Sequence, residues 1–364
     1  MSSSNETIIF DKRQTNIAKG VAVLLLLWHH LFYDTPEKYQ LFSSMWIPHN
    51  VPVECFIARF CKVCVAIFVL LSGYGLYKSW QKNCERIIRG GGNYRQGFIC
   101  HLKFVKNHLL KLMFNYWFIF IIFVPIGIFL GRKFWDVYGI NPLNAFIDFF
   151  GLASMFNTPT MNATWWFMSA IIMLYILFPI FVRIMSFSSE LMLSIAAALV
   201  FLPKFSSCPL IGKYFVWILP FVLGMYLAKY NGMEKLYVHN NNMGKGLCFT
   251  GIMIIVCAWV RYYYGQTCDF DSLFALSIIL FSYFALSKIP FVNIVLEQLG
   301  KHSGAIFMFH TFIKTYYFND FIYWFKYSPF IFVVMTAVCY VIAAGLEHFK
   351  KLVRYDKLAI KVTQ

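Results

Sequence analysis

The sequence predicts an all-α protein, a polytopic membrane helical bundle of about ten transmembrane helices, on three observations. Of the 364 residues, 60% are hydrophobic and 13% charged, against the roughly 45–50% apolar usage of soluble domains. Apolar runs recur along the whole length, many of them approaching the roughly 17–25 residues that cross a bilayer as a helix. Between them lie short stretches that hold most of the basic residues.

The expected spans are taken in order. The first, 15–33, surrounds the run Val21–Leu27 with Lys12, Arg13 and Lys19 before it. His29, His30 and Phe32 stand where a cleavable signal would need small residues, so it reads as a retained span. Spans 60–78, 112–131 and 163–184 follow, then 190–203, short enough to be re-entrant. The series continues with 213–230, 246–264, 270–287, 302–320 and 329–347. The segment 143–156 is amphipathic and reads as interfacial. No internal repeat, linker or low-complexity stretch splits the chain, so residues 1–364 are expected to form one membrane domain.

A formal charge of +16 could suggest nucleic acid, but the basic residues are dispersed through loops rather than gathered on one soluble face. Topology accounts for them. With the N-terminus inside, 22 of the 32 Lys and Arg fall on the cytoplasmic side, which places both termini of a cell-membrane protein in the cytoplasm. The ten cysteines sit mostly inside apolar runs and read as small packing residues, Cys61-x-x-Cys64 included, because no second ligand pair follows at metal spacing. No metal is expected.

The largest basic stretch, 78–111, holds Lys78, Lys82, Arg86, Arg89, Arg95, Lys103, Lys106 and Lys111 around Gly90-Gly91-Gly92. No G-K-[ST] follows the glycines, so they make a turn rather than a phosphate loop. The stretch suits topology and anionic-lipid contact, and equally the phosphates of a soluble donor.

Polar residues inside a membrane are costly and point to function. In the first span Lys19 and His30 are eleven residues apart, which brings them within about 20° of one helix face and about 16 Å apart along the axis. His29 lies about 80° off that face. A cation near the surface and a deep imidazole suit a donor whose phosphates stay outside while its reactive end reaches inward. Imidazole can accept a proton from a hydroxyl near neutral pH. The plainer alternative is a hydrogen-bonded core histidine and a snorkelling lysine.

The pattern Lys19-Gly-Val-Ala-Val-Leu-Leu-Leu-Leu-Trp-His-His30 resembles the first helix of the membrane acyltransferase-3 family, with its basic residue, ten intervening positions and histidine. Phe68-Val-Leu-Leu-Ser72-Gly73-Tyr74 resembles the family's F-x-L-S-G-[FY] segment. Trp165-Trp166-Phe167-Met-Ser169, continuing to Tyr175 and Pro179, resembles its W-F-x-x-[SA] helix, and Leu299-Gly300-Lys-His-Ser303 with His310 its L-G-x-x-S…H segment. The chain departs from the pattern at Lys19, usually Arg, at Asn16, often Asp, and at His108 and Lys111, where Arg-x-x-Arg is common.

The resemblance implies an O-acetyltransferase-type enzyme that moves an acyl group, acetyl by preference, from acyl-CoA to a hydroxyl of a cell-envelope or exported carbohydrate or glycolipid. It implies His30 as general base with Lys19 beside the donor. It also places Lys111, His108, Arg86, Arg89 and Arg95 at the phosphates, and Ser72, Trp166 and His310 at the substrate. Membrane lipids are the other expected partners, and a homo-oligomer is compatible with the sequence. The rival class is a transporter or flippase of envelope precursors, although no paired halves are visible. A catalytically dead partner or sensor of the same fold is a third reading. Nothing resembles the G-x-S-x-G elbow of a serine acyl-enzyme.

Overall fold

A computed structural model describes residues 10–33, 40–44, 46–47, 51–85, 94–202, 205, 208–239, 243–264 and 270–363. The chain is 84% helical with no strands among these residues. The helices are α1 (Lys12–Phe32), α2 (Val53–Cys61), α3 (Cys64–Trp80), α4 (Tyr94–Phe129), α5 (Phe134–Tyr138) and α6 (Pro142–Phe149). They continue with α7 (Trp166–Phe187), α8 (Ser189–Phe201), α9 (Pro209–Tyr214), α10 (Ile218–Lys229), α11 (Gly232–His239) and α12 (Met243–Tyr263). The last six are α13 (Asp271–Phe284), α14 (Pro290–Lys301), α15 (Ser303–Thr311), α16 (Asn319–Tyr323), α17 (Ser328–Leu352) and α18 (Tyr355–Thr363).

Among the described residues, seven helical stretches are long and apolar enough to cross a membrane, against the ten expected. All ten expected segments contain helix, but three are short or broken. Helix α8 has 13 residues, with Pro203 next but one after its last. Between α9 and α10 the chain tightens into a 3-10 turn at Phe215–Trp217. Pro220 explains the tightening, because it has no N–H to offer Val216 and its ring crowds that carbonyl. In 302–320, α15 gives way to a π-turn over Phe312–Tyr317. The lipid-facing character of the long helices is plain in α12 and α17, where Ile255 and Phe330 are 69% and 62% exposed. Water would not tolerate such stripes, and lipid does.

The described chain groups into two compact units, each assembled from separated stretches. The first comprises residues 1–23, 63–81 and 188–301. Its helices approach to backbone contact at glycines: a Cβ on Gly73 would collide with the Phe221 carbonyl, and one on Gly224 with that of Leu70. Gly20 and Gly300 meet the Leu296 and Asn16 carbonyls in the same way. Small residues at such crossings drive helix association where lipid removes the hydrophobic incentive. Arg261 and Asp271, both buried, neutralise one another as an ion pair between α12 and α13. Toward the end of α14, Glu297 bridges Arg13 at 3.3 Å and Lys301 at 2.8 Å.

The second unit comprises residues 24–62, 82–187 and 302–364. Its longest element, α4, has 36 residues, about 54 Å at 1.5 Å per residue and longer than a bilayer core of about 30 Å. The connection from α4 to α7 is ordered by one carboxylate. Asp148 accepts hydrogen bonds from the Tyr138 hydroxyl (2.7 Å), the Thr160 hydroxyl (2.9 Å) and the Met161 N–H (2.8 Å). Helix α6, capped by Asn141 on the Leu143 N–H, keeps the amphipathic character read from 143–156: it exposes Leu143 and Phe146 and buries Asp148. Gly151, at φ 69°, then turns the chain in a conformation that favours glycine.

Candidate functional site

Helix α1 runs without a break from Lys12 to Phe32 and carries both Lys19 and His30. Its second half, in the second unit, presents three adjacent polar rings. Trp28 donates its indole N–H to the Glu54 carbonyl at 3.2 Å. The buried His29 holds the Ala58 carbonyl at 2.8 Å through Nδ1 and packs on Tyr33 at 4.6 Å between ring centroids. A carbonyl only accepts, so His29 Nδ1 carries the proton. His30, one residue and about 100° further on, is half-buried, and its ring centroid lies 4.7 Å from that of His310.

His310 comes from α15 and is fully buried. Its Nδ1 reaches back to the carbonyls of Ile306 (3.0 Å) and Phe307 (2.9 Å), which fixes a proton on Nδ1 and leaves Nε2 facing the Thr311 hydroxyl at 3.2 Å. The change from α to π geometry just beyond supplies further order. The Phe312 N–H turns to Phe309. The Met308 carbonyl accepts instead from two side chains, Asn162 Nδ2 at 3.1 Å and Trp165 Nε1 at 2.9 Å.

Asn162 joins the chain before α7 to α15. Its Oδ1 caps the 3-10 turn Ala163–Trp165, accepting the Thr164 N–H (3.0 Å) and the Thr164 hydroxyl (2.7 Å). Thr164 in turn lies 3.2 Å from the Thr311 hydroxyl. The Trp165 ring packs against Tyr116 and Phe120 of α4. A buried polar network thus runs from His310 through Thr311 and Thr164 to Asn162. Nearer the α2 end of the same unit, the fully buried Glu54 accepts from Ser44 (2.5 Å) and Ser328 (2.6 Å), an anchor for α2 and α17.

Of the residues singled out from the sequence, His30 and His310 come together. Trp166 is half-buried beside Phe167, whereas its neighbour Trp165 makes the hydrogen bond to α15. His108 bonds the Phe104 carbonyl through Nδ1 at 2.9 Å, and Lys111 is exposed. In the first unit Lys19 is half-buried and makes no hydrogen bond or ion pair among the described residues. Ser72, also in the first unit, is half-buried beside the packing residue Gly73. Arg95 lies in the first turn of α4. Arg86, Arg89 and the glycine triplet fall outside the described residues.

Sequence reasoning missed Asn162, Thr164, Trp165 and Thr311 as members of one network. The signal available was local: Asn followed two residues later by Thr is a helix-start pattern, with nothing to show which distant helix it meets. No curated protein and no solved structure matches the chain. The acyltransferase domain model matches it over residues 14–344, from the first turn of α1 to the last third of α17. This polytopic helical membrane protein belongs to the acyltransferase-3 family and is an acyltransferase.

Proposed function

We propose that the protein transfers an acyl group, acetyl by preference, from acyl-CoA to a hydroxyl of a cell-envelope or exported carbohydrate, with His30 as general base. The observation that carries this reading is the contrast between two adjacent histidines. His29 is buried and committed to the Ala58 carbonyl, whereas His30 is half-exposed beside a second imidazole. The acceptor O–H bond breaks as its proton bonds to His30, and the oxygen attacks the thioester carbonyl. The C–S bond then breaks, and the departing sulfur takes the proton to leave as the thiol.

Lys19, a half-buried cation without a partner among the described residues, suits an anionic portion of the donor. The exposed Lys111, and Arg86, Arg89 and Arg95 by their charge, are assigned to the same phosphates, with His108 beside them. Ser72, Trp166 and His310 are assigned to the acceptor side. Family membership favours this reading over the transporter.

The test is thiol release from acetyl-CoA by purified protein with an envelope-carbohydrate acceptor. His30→Ala should lose about 10²–10⁴ in rate with membrane insertion intact. His29→Ala should lower thermal stability through its lost buried hydrogen bond, yet keep most of the turnover per folded molecule. An active His30→Ala and a dead His29→Ala would remove the proposed base.

A further inference from the structure

The Thr311 hydroxyl faces two acceptors at the same distance, 3.2 Å from His310 Nε2 and 3.2 Å from Thr164 Oγ1. It has one proton and can satisfy one of them at a time. Thr164 cannot return the favour, because its own hydroxyl proton is committed to Asn162 Oδ1 at 2.7 Å. Asn162 cannot flip to change this, because its Nδ2 is held by the Met308 carbonyl. Nor can His310 exchange tautomers without loss, since two carbonyls hold its Nδ1 proton. Every direction in the network is therefore fixed except one rotor.

That rotor has two states, and they match two charge states of His310. With a neutral ring, Thr311 donates to Nε2. With a proton on Nε2, the ring donates to the Thr311 oxygen and Thr311 donates to Thr164. No heavy atom need move, and no buried polar group loses its partner in either state. The charged state makes one more hydrogen bond, and its first link is charge-assisted, the stronger kind. Such an arrangement suits a ring that gains and loses a proton, and the ring it faces is His30, 4.7 Å away between centroids.

We propose that Thr311 is a positioning residue that lets His310 share the proton taken up by His30, its hydroxyl turning from His310 to Thr164 as the charge arrives. The inference rests on the reading of His30 as the base. The N–H bond on His30 breaks as one forms on His310 Nε2, in the lone pair that Thr311 vacates. The proton returns by the same route to the departing thiolate. Thr164 and Asn162 act at one remove, by keeping an acceptor always aimed at Thr311.

Three variants test this in the acetyl-CoA thiol-release assay. Thr311→Val keeps the shape and removes the hydroxyl. It should lower kcat by roughly ten- to hundredfold, the scale of a hydrogen bond to a charged group, with KM for acetyl-CoA changed less than about twofold. Thr311→Ser should restore most of kcat. Thr164→Val should lower kcat as well, and the double valine variant should fall little further than the worse single one, because the two act as one chain.

Wild-type kcat in Thr311→Val would overturn the proposal, as would a loss confined to KM or a serine variant as impaired as the valine. If Thr311→Val fails to fold, Thr164→Val decides: wild-type kcat there sinks the relay. His30→Ala assayed alongside separates the two claims. Its full activity removes the base, whereas its inactivity with unimpaired threonine variants removes only the relay.

Discussion

Burial raises the Asp148 carboxyl from its ordinary 3.8 to about 6, against the opposing hydrogen bonds from Tyr138, the Met161 N–H and Thr160. A folded-state value above the unfolded one means that the native protein binds this proton more tightly. The group's contribution is therefore complete below about pH 4 and is lost as pH rises through about 6. A shift of about two units corresponds to a few kcal/mol between these limits. Detergent melting curves of wild type and Asp148→Asn should diverge accordingly: the asparagine variant melts lower throughout, but its Tm changes less between pH 4 and pH 7. Equal slopes would show that folding does not raise the Asp148 carboxyl above its ordinary value. The same residue matters to the site, because Met161 and Thr160 deliver Asn162 and Thr164 to α15. At this scale the sequence was informative where geometry is local. Neighbouring residues on a helix differ by about 100°, and that separated His30 from His29. It was uninformative for Trp165 against Trp166, because the choice is made by the Met308 carbonyl, 143 residues away.

Helix crossings in the first unit are decided by glycine. The Cβ of Gly73→Ala would meet the Phe221 carbonyl and that of Gly224→Ala the Leu70 carbonyl, both backbone atoms that cannot move aside without parting α3 from α10. Alanine's helix propensity would return only about 0.5–1 kcal/mol. Both substitutions should therefore lower Tm and folded yield in detergent. Gly75→Ala, on the same helix with nothing within 4 Å of its Cβ, should be neutral or slightly stabilising. If all three behave alike, backbone contact does not limit this crossing. The existence of the elements was legible from apolar runs, since each of the ten expected segments contains helix. Their continuity was less so. Pro220 announces the break before α10, but the π-turn after α15 has no proline or glycine to mark it. It is held by tertiary bonds such as that from the Tyr317 hydroxyl to the Phe123 carbonyl of α4 at 2.6 Å.

For the whole molecule, the interrupted segments decide the topology. The seven long apolar helices among the described residues, an odd number, would by themselves leave the termini on opposite sides of the membrane. Ten crossings return them to the same side, which requires α8, the α9–α10 pair and α15 with its π-turn to cross as well. Helix α8 is about 20 Å long at 1.5 Å per residue and can span only where the bilayer thins or protein surrounds it. Charge favours ten. Twenty-two of the 32 Lys and Arg then face the cytoplasm, among them Lys350, Lys351, Arg354, Lys357 and Lys361 after the last apolar run. With an odd count this cluster would be translocated, against the rule that basic flanks stay inside. Reporters fused at the C-terminus and next to Arg132, between α4 and α5, should accordingly report the cytoplasm and the opposite side. Reporters that agree with each other would mean that an even number of crossings separates α4 from the chain end, and that at least one interrupted segment enters and leaves by the same face.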